Sequence, residues 1–126
     1  MGRPRVSVTL SGIQVTALVD TGASRTLLRS DIFRKLNRPF QTTKVIRLQT
    51  LTGEDIPTKG EVEVTIDKVG IMPMIVLETM GCDVLIGSDT LEKFHAAIDY
   101  ENQVVLINGK AFPMKQGKHE VYTPEI

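Results

Sequence analysis

Asp20, in the stretch ALVDTGASRT (residues 17–26), closes a continuous apolar run of Ala17, Leu18 and Val19 and is followed by Thr21 and Gly22. Such a run is expected of a strand covered on both faces, so the carboxylate is held rigidly where the strand ends. Gly22 has no Cβ to keep a second backbone at a distance, and the Thr21 hydroxyl can hydrogen-bond to backbone. The chemistry these residues suit is activation of water. A hydrolase that works without metal needs one group to take a proton and another to give one. Two adjacent carboxylates sharing a proton supply both, because they do not readily ionise together. The chain holds one Asp-Thr-Gly and no Asp-Ser-Gly, so the second carboxylate has to come from another copy. A twofold dimer brings a residue near its axis to its own counterpart.

Other chemistries find less support. Cys82 is the single cysteine, which rules out an internal disulfide and reads as a small buried residue rather than a thiol nucleophile. His95 and His119 have no nucleophile near them in sequence. No Cys/His constellation suggests a metal, and Met72, Met74 and Met80 read as core filling, so neither metal nor cofactor is expected. The formal charge is zero, from 15 basic and 15 acidic side chains, and there are four Phe, two Tyr and no Trp. A chain so composed has no general field for nucleic acid and few rings on which bases could stack. No apolar run approaches the roughly 20 residues that span a bilayer, and the first 15 residues lack a signal peptide's apolar stretch. Gly2 is placed for myristoylation, but Val6 stands where Ser or Thr is required. The chain therefore reads as soluble, without a secretion signal of its own.

The elements around Asp20 read almost entirely as strands. Val6, Val8 and Leu10 alternate with polar residues, Ser11-Gly12 offers a turn, and Ile13, Val15 and Ala17 resume the alternation, which predicts a β-hairpin. Residues 25–37 predict a strand followed by a short helix, with Ser30 as N-cap and Ile32, Phe33 and Leu36 on one face. Residues 45–66 contain two extended runs separated by Leu51-Thr52-Gly53-Glu54, a projecting hairpin, and the second ends in Glu61 to Ile66 with charges facing outward. Pro57 and Gly60 make its first part a poor central strand. Residues 70–78 predict an apolar strand. Val84, Leu85 and Ile86 predict another before Gly87, with Ser88 or Asp89 capping a helix to about His95. Residues 97–114 predict strands joined by turns at 101–103 and at Asn108-Gly109. A single domain over 1–114 is expected, followed by a flexible tail over 115–126.

Two motifs then become specific together. RPRVSVTLSGIQVTALVDTGAS (residues 3–24) and DVLIGSDTL (83–91) resemble the N-terminal hairpin with its active-site loop, and the apolar-apolar-Gly motif with its helix, of the retropepsins, the aspartic proteases of retroviruses and LTR retrotransposons. The resemblance covers roughly residues 3–107, closer to gammaretroviral and gypsy-type elements or to cellular retropepsin-like domains. It implies an all-β acid-protease fold of closed, barrel-like sheets with a flap hairpin and one short helix, assembled as a twofold homodimer. It implies Asp20 as the catalytic carboxylate, Thr21 as the hydroxyl locking two loops across the dimer axis, Gly22 as a backbone contact to peptide, and Ala23 as the retroviral-type neighbour of the dyad. It further implies a flap at Leu51, Thr52 and Gly53 closing over an extended peptide, with Leu18, Ile56 and Ile86 as pocket walls. A homodimeric endopeptidase maturing a polyprotein, in cytoplasm or virus-like particles, is the leading expectation. A retropepsin-fold dimerisation or peptide-binding module with little turnover is the alternative.

The sequence departs from the family where many members carry an acidic residue after Asp-Thr-Gly-Ala and an arginine after the helix-leading glycine. Ser24 and Ser88 occupy those positions, which leaves Arg3 without its family partner. Three bland readings stand beside these expectations: an ordinary turn for Asp20, a plain hairpin turn for residues 51–53, and a turn cap for Asp99. Asp83 and Asp89 could each be read as a second acid, although solvation of Asp83 and helix capping by Asp89 fit better.

Overall fold

The computed structural model describes residues 3–42 and 46–116. Met1, Gly2, His119 and most of the expected tail lie outside the described residues. The N-terminal hairpin is β1 (Arg5–Leu10) paired with β2 (Ile13–Val19), Val6 opposite Ala17 and Leu10 opposite Ile13. Its turn places Ser11 at φ 46° and Gly12 at φ 88°, the paired positive values whose twist suits a two-residue hairpin loop. Burial alternates along β1 and becomes continuous over Ala17, Leu18 and Val19. The reason is the neighbour of β2: β8 (Val84–Ile86) lies parallel beside it, with Val19 opposite Ile86.

Between these come β3 (Leu27–Arg29), α1 (Ser30–Leu36), the two-residue strands β4 (Leu48–Gln49) and β5 (Asp55–Ile56), then β6 (Gly60–Ile66) and β7 (Gly70–Leu77). After β8 follow α2 (Ser88–Lys93), β9 (Ala97–Asp99), β10 (Val104–Ile107) and β11 (Lys110–Pro113). Six strands close a barrel in the order β1-β2-β8-β3-β7-β6, sealed where Leu10 meets Ile66. β9, β10 and β11 form a separate antiparallel sheet whose Val105 and Ile107 enter the core. Val6 bridges to Met114, and the Lys115 N–H donates to the Arg5 carbonyl (2.8 Å), tying this sheet back to β1.

The helices differ in detail from expectation. Two short ones are present among the described residues, as the two predicted segments expected, where the family resemblance implied one. Ser30 is not the N-cap of α1 but its first helical residue. Arg29 takes the cap position because it is still the last residue of β3, paired with Leu77, and the Ser30 hydroxyl donates instead to the Glu78 carbonyl (3.2 Å). Ile32 and Leu36 are buried as expected, while Phe33 is half-buried and stacks on Phe40 with ring centroids 4.3 Å apart. Gly87, not Ser88 or Asp89, caps α2, which stops at Lys93, and His95 turns away at φ 51°.

Candidate active site

The barrel order sets the site, because β2 and β8 run parallel and their ends deliver residues 20–26 and 86–90 to one place. The Asp20 N–H donates to the Ile86 carbonyl (2.9 Å) and the Ser88 N–H to the Ala23 carbonyl (2.7 Å). Gly87 lies where these segments cross. A Cβ there would stand 2.5 Å from the Arg25 carbonyl oxygen and 2.8 Å from that of Ala23, so glycine is required by contact, with no unusual φ involved. The fully buried Thr26 completes the crossing. Its hydroxyl donates to Asp89 Oδ1 (2.7 Å) and accepts from the Gly87 N–H (3.1 Å), with the Thr90 hydroxyl 2.5 Å away. If Thr90 donates that last bond, the one donor and both acceptor positions of the Thr26 hydroxyl are in use.

Asp20 is 1 % exposed at the end of β2. Its Oδ1 accepts from the Gly22 N–H (2.9 Å) and meets Arg3 Nε at 2.9 Å. Oδ2 is buried and has no hydrogen-bond partner among the described residues. The two carboxylate oxygens are thus unequal: one is anchored by a backbone amide and a guanidinium, the other is uncommitted. Arg3, whose family partner is absent, meets Asp20 itself. A Cβ on Gly22 would lie 3.3 Å from Asp20 Oδ1, so the missing side chain makes room for the carboxylate of its own loop. Thr21 and Gly22 are exposed, and Ala23 is buried against Leu18, Leu27 and Leu85.

Asp83 and Asp89 are both engaged away from Asp20. Asp83 is not simply solvated, since Oδ2 accepts the Thr16 N–H (2.9 Å) and Oδ1 meets Arg29 Nη2 (2.9 Å). Asp89 is not the N-cap residue of α2, although its Oδ1 accepts the Thr90 N–H in the first turn (2.7 Å). It receives Thr26 through both hydroxyl and N–H and lies 3.5 Å from Arg25 Nε. Sequence reasoning passed over Thr26, Thr90 and the ion pair of Arg25 with Glu61 (2.6 Å). Glu61 lies on β6 and Asp89 on α2, and nothing local marks either as a neighbour of residue 25. Asp99 does hold its turn, accepting the Asn102 N–H at 3.0 Å.

The hairpin of β4 and β5 stands over the site. The Thr50 N–H donates to the Glu54 carbonyl (2.9 Å), the Gly53 N–H to the Thr50 carbonyl (3.0 Å), and Gly53 adopts φ 88°, which glycine tolerates. Leu51 is 92 % exposed at the tip, beside the exposed Thr52 and Gly53. Between hairpin and active-site loop lies a cleft of about 480 Å³ bordered by Gly22, Ala23, Leu27, Leu48 and Leu51, among others. Leu18 belongs to an apolar cluster beside it, against which Ile56 and Leu48 of the hairpin pack. Ile86 is placed elsewhere: 1 % exposed, it belongs to the main core, and its contribution to the site is the carbonyl that holds Asp20.

The profile of the gag-polyprotein putative aspartyl protease family matches residues 6–93. The chain belongs to this family, and its fold is that of a retropepsin-like aspartic protease. It is 32 % identical over 118 residues to the UBA domain-containing protein Mud1 of Schizosaccharomyces pombe, an alignment covering 86 % of this chain and 34 % of Mud1. The chain thus spans about a third of that curated relative. Among solved structures it is similar to the retroviral protease-like domain of Ddi1 from Leishmania major (TM-score 0.66, 16 % identity, 92 % of each chain). It is likewise similar to the EIAV protease in complex with the inhibitor HBY-793 (TM-score 0.63, 23 % identity, 77 % of this chain and 92 % of that one). A retropepsin-like aspartic protease from Rickettsia conorii gives a TM-score of 0.52 at 22 % identity, over 75 % of each chain.

Proposed function

We propose that the protein is a homodimeric aspartic endopeptidase in which each copy contributes Asp20 to a shared carboxylate pair. The observation that carries this reading is the inequality of the two Asp20 oxygens. Oδ1 is fixed by Gly22 and Arg3, which leaves Oδ2 to meet a water and the partner's carboxylate. Asp83 and Asp89 are engaged elsewhere, so one copy supplies half of an acid/base pair. In the dimer one carboxylate takes a proton from water as its oxygen adds to the peptide carbonyl, and the other gives its proton to the carbonyl oxygen. The C–N bond then breaks as the first carboxyl passes its proton to the leaving amine and the second recovers one from the collapsing hydroxyl. Thr21 and Gly22, exposed in the single chain, then lie between the two loops and against the peptide. The hairpin at 51–53 closes over an extended substrate and keeps bulk water out, while Leu48 and Leu51 contact its side chains.

The family's name supports a polyprotein as substrate. The likeness to Mud1, a protein of a cellular organism about three times the aligned length, supports a cellular protein substrate and a domain carried within a longer chain. The Arg3–Asp20 ion pair favours a second reading, a peptide-binding module with little turnover, because the guanidinium already occupies one carboxylate oxygen.

Cleavage of a mixed peptide library by the purified chain and by Asp20→Asn, from about pH 4 to about pH 8, tests the proposal. Activity in the first and its loss in the second is the expected result. Equal activity in both would place catalysis elsewhere, and silence in both at concentrations where the chain is dimeric would favour the module.

A further inference from the structure

The charged side chains bordering the cleft are Arg25, on the active-site loop, and Arg47, at the base of the hairpin; among the described residues no carboxylate borders it. Each arginine is held by acidic residues that do not line the cleft. Arg25 reaches Glu61 through Nη2 (2.6 Å) and Asp89 through Nε (3.5 Å), and Arg47 reaches both Asp55 oxygens through Nη2 (3.1 and 3.3 Å). A guanidinium carries five N–H donors in a rigid fork, and these contacts engage two nitrogens of Arg25 and one of Arg47. One cation lies on the active-site loop, in a partly buried ion pair, and the other on the hairpin, in an exposed one. The rest of the lining is small or apolar apart from Ser24 and Gln49, so the cleft combines apolar contact with two donors of positive charge.

We propose that this cleft selects peptides with an aspartate or glutamate beside the cleaved bond, the carboxylate being gripped by Arg25 from below and Arg47 from above. The inference rests on the proposed function in taking an extended peptide as the occupant. An acidic side chain so placed links floor to hairpin and favours the closed position, and a lysine there meets two like charges. Complementarity of this kind acts mainly through specificity and association rate, and it weakens with salt.

The test uses matched peptides carrying Glu, Gln or Lys at successive positions around a cleaved bond, with kcat/KM for the full chain and fluorescence anisotropy for binding to Asp20→Asn. Two partly exposed ion pairs are expected to favour Glu over Gln about fivefold at low salt, with Lys poorest. In Arg47→Glu, an exposed position, the Glu preference is expected to disappear and Lys to gain. Equal treatment of Glu and Gln at every position at low salt overturns the inference, as does an acidic preference that Arg47→Glu leaves unchanged. Binding that follows charge in the absence of cleavage supports the cleft assignment while overturning the protease reading, so the two fail separately.

Discussion

Asp20 is 1 % exposed, and a buried carboxylate without a partner is costly. The Arg3 guanidinium and the Gly22 amide meet that need at Oδ1. Replacing Arg3 by Ala removes the cation from a carboxylate that stays buried, and the expected cost is about 2 kcal/mol, less than for a fully buried pair because Arg3 is partly exposed. Urea unfolding at neutral pH checks this. The same substitution in an Asp20→Asn background is expected to cost much less, since the charge it answers is gone. Gly87 poses a steric problem instead. Its would-be Cβ meets two backbone carbonyls under 3.0 Å, which no rotamer change relieves. Gly87→Ala is expected to destabilise by about 2–3 kcal/mol, read as a lower unfolding midpoint, and to separate the two segments that hold Asp20.

Short elements here combine buried apolar residues with polar clasps at their joins. β3 has three residues and leads straight into α1, and the join is fastened by Arg29, which donates to Asp31 (2.6 Å) and to Asp83 (2.9 Å) on the strand partner's side. The hydrogen bond from Arg29 holds the Asp31 carboxyl below its ordinary range and raises Arg29 above its own. Because the folded-state value of Asp31 lies below the unfolded one, its contribution is fully present above the ordinary carboxylate range and is lost as pH falls through the depressed value. The stability difference between the wild type and Asp31→Asn is therefore expected to be level near neutrality and to shrink on acidification, measured by thermal unfolding across that range. The hairpin of β4 and β5 has two residues per strand and depends on Leu48 and Ile56 packing on the cluster below it. An element with so few ladder bonds is suited to opening and closing.

A closed barrel with a docked three-stranded sheet gives each copy a complete core, yet half of the proposed catalytic pair. Activity made at an interface follows the concentration of dimer. The rate is expected to rise with the square of protein concentration when dilute and linearly once the dimer is saturated, which a dilution series of initial rates checks. First-order behaviour throughout, in a chain shown to be monomeric, would assign the whole reaction to one copy. With zero formal charge, long-range repulsion between copies is small at the scale of the whole molecule.

What the sequence by itself determined follows from short-range rules. The alternation of Val6, Val8 and Leu10, the positive-φ turn at Ser11-Gly12 and the continuous burial of Ala17 to Val19 before Asp20 each depend on neighbours in the chain, and each was legible. Ile86-Gly87 was legible as a strand end for the same reason. The cap position differs at Ser30 because Arg29 is still paired as the last residue of β3, while Asp89 divides its side chain between the first turn of α2 and Thr26. Tertiary structure alone decided that Arg3 meets Asp20, that Arg25 is pinned by Glu61, that Asp83 serves Thr16 and Arg29, and that Ile86 turns into the core. The Asp83 and Ile86 contacts join residues far apart in sequence, and β8, parallel to β2 and antiparallel to β3, brings those distant ends together. Side-chain charge acts over a few ångströms, so its partners follow from strand order and not from spacing along the chain.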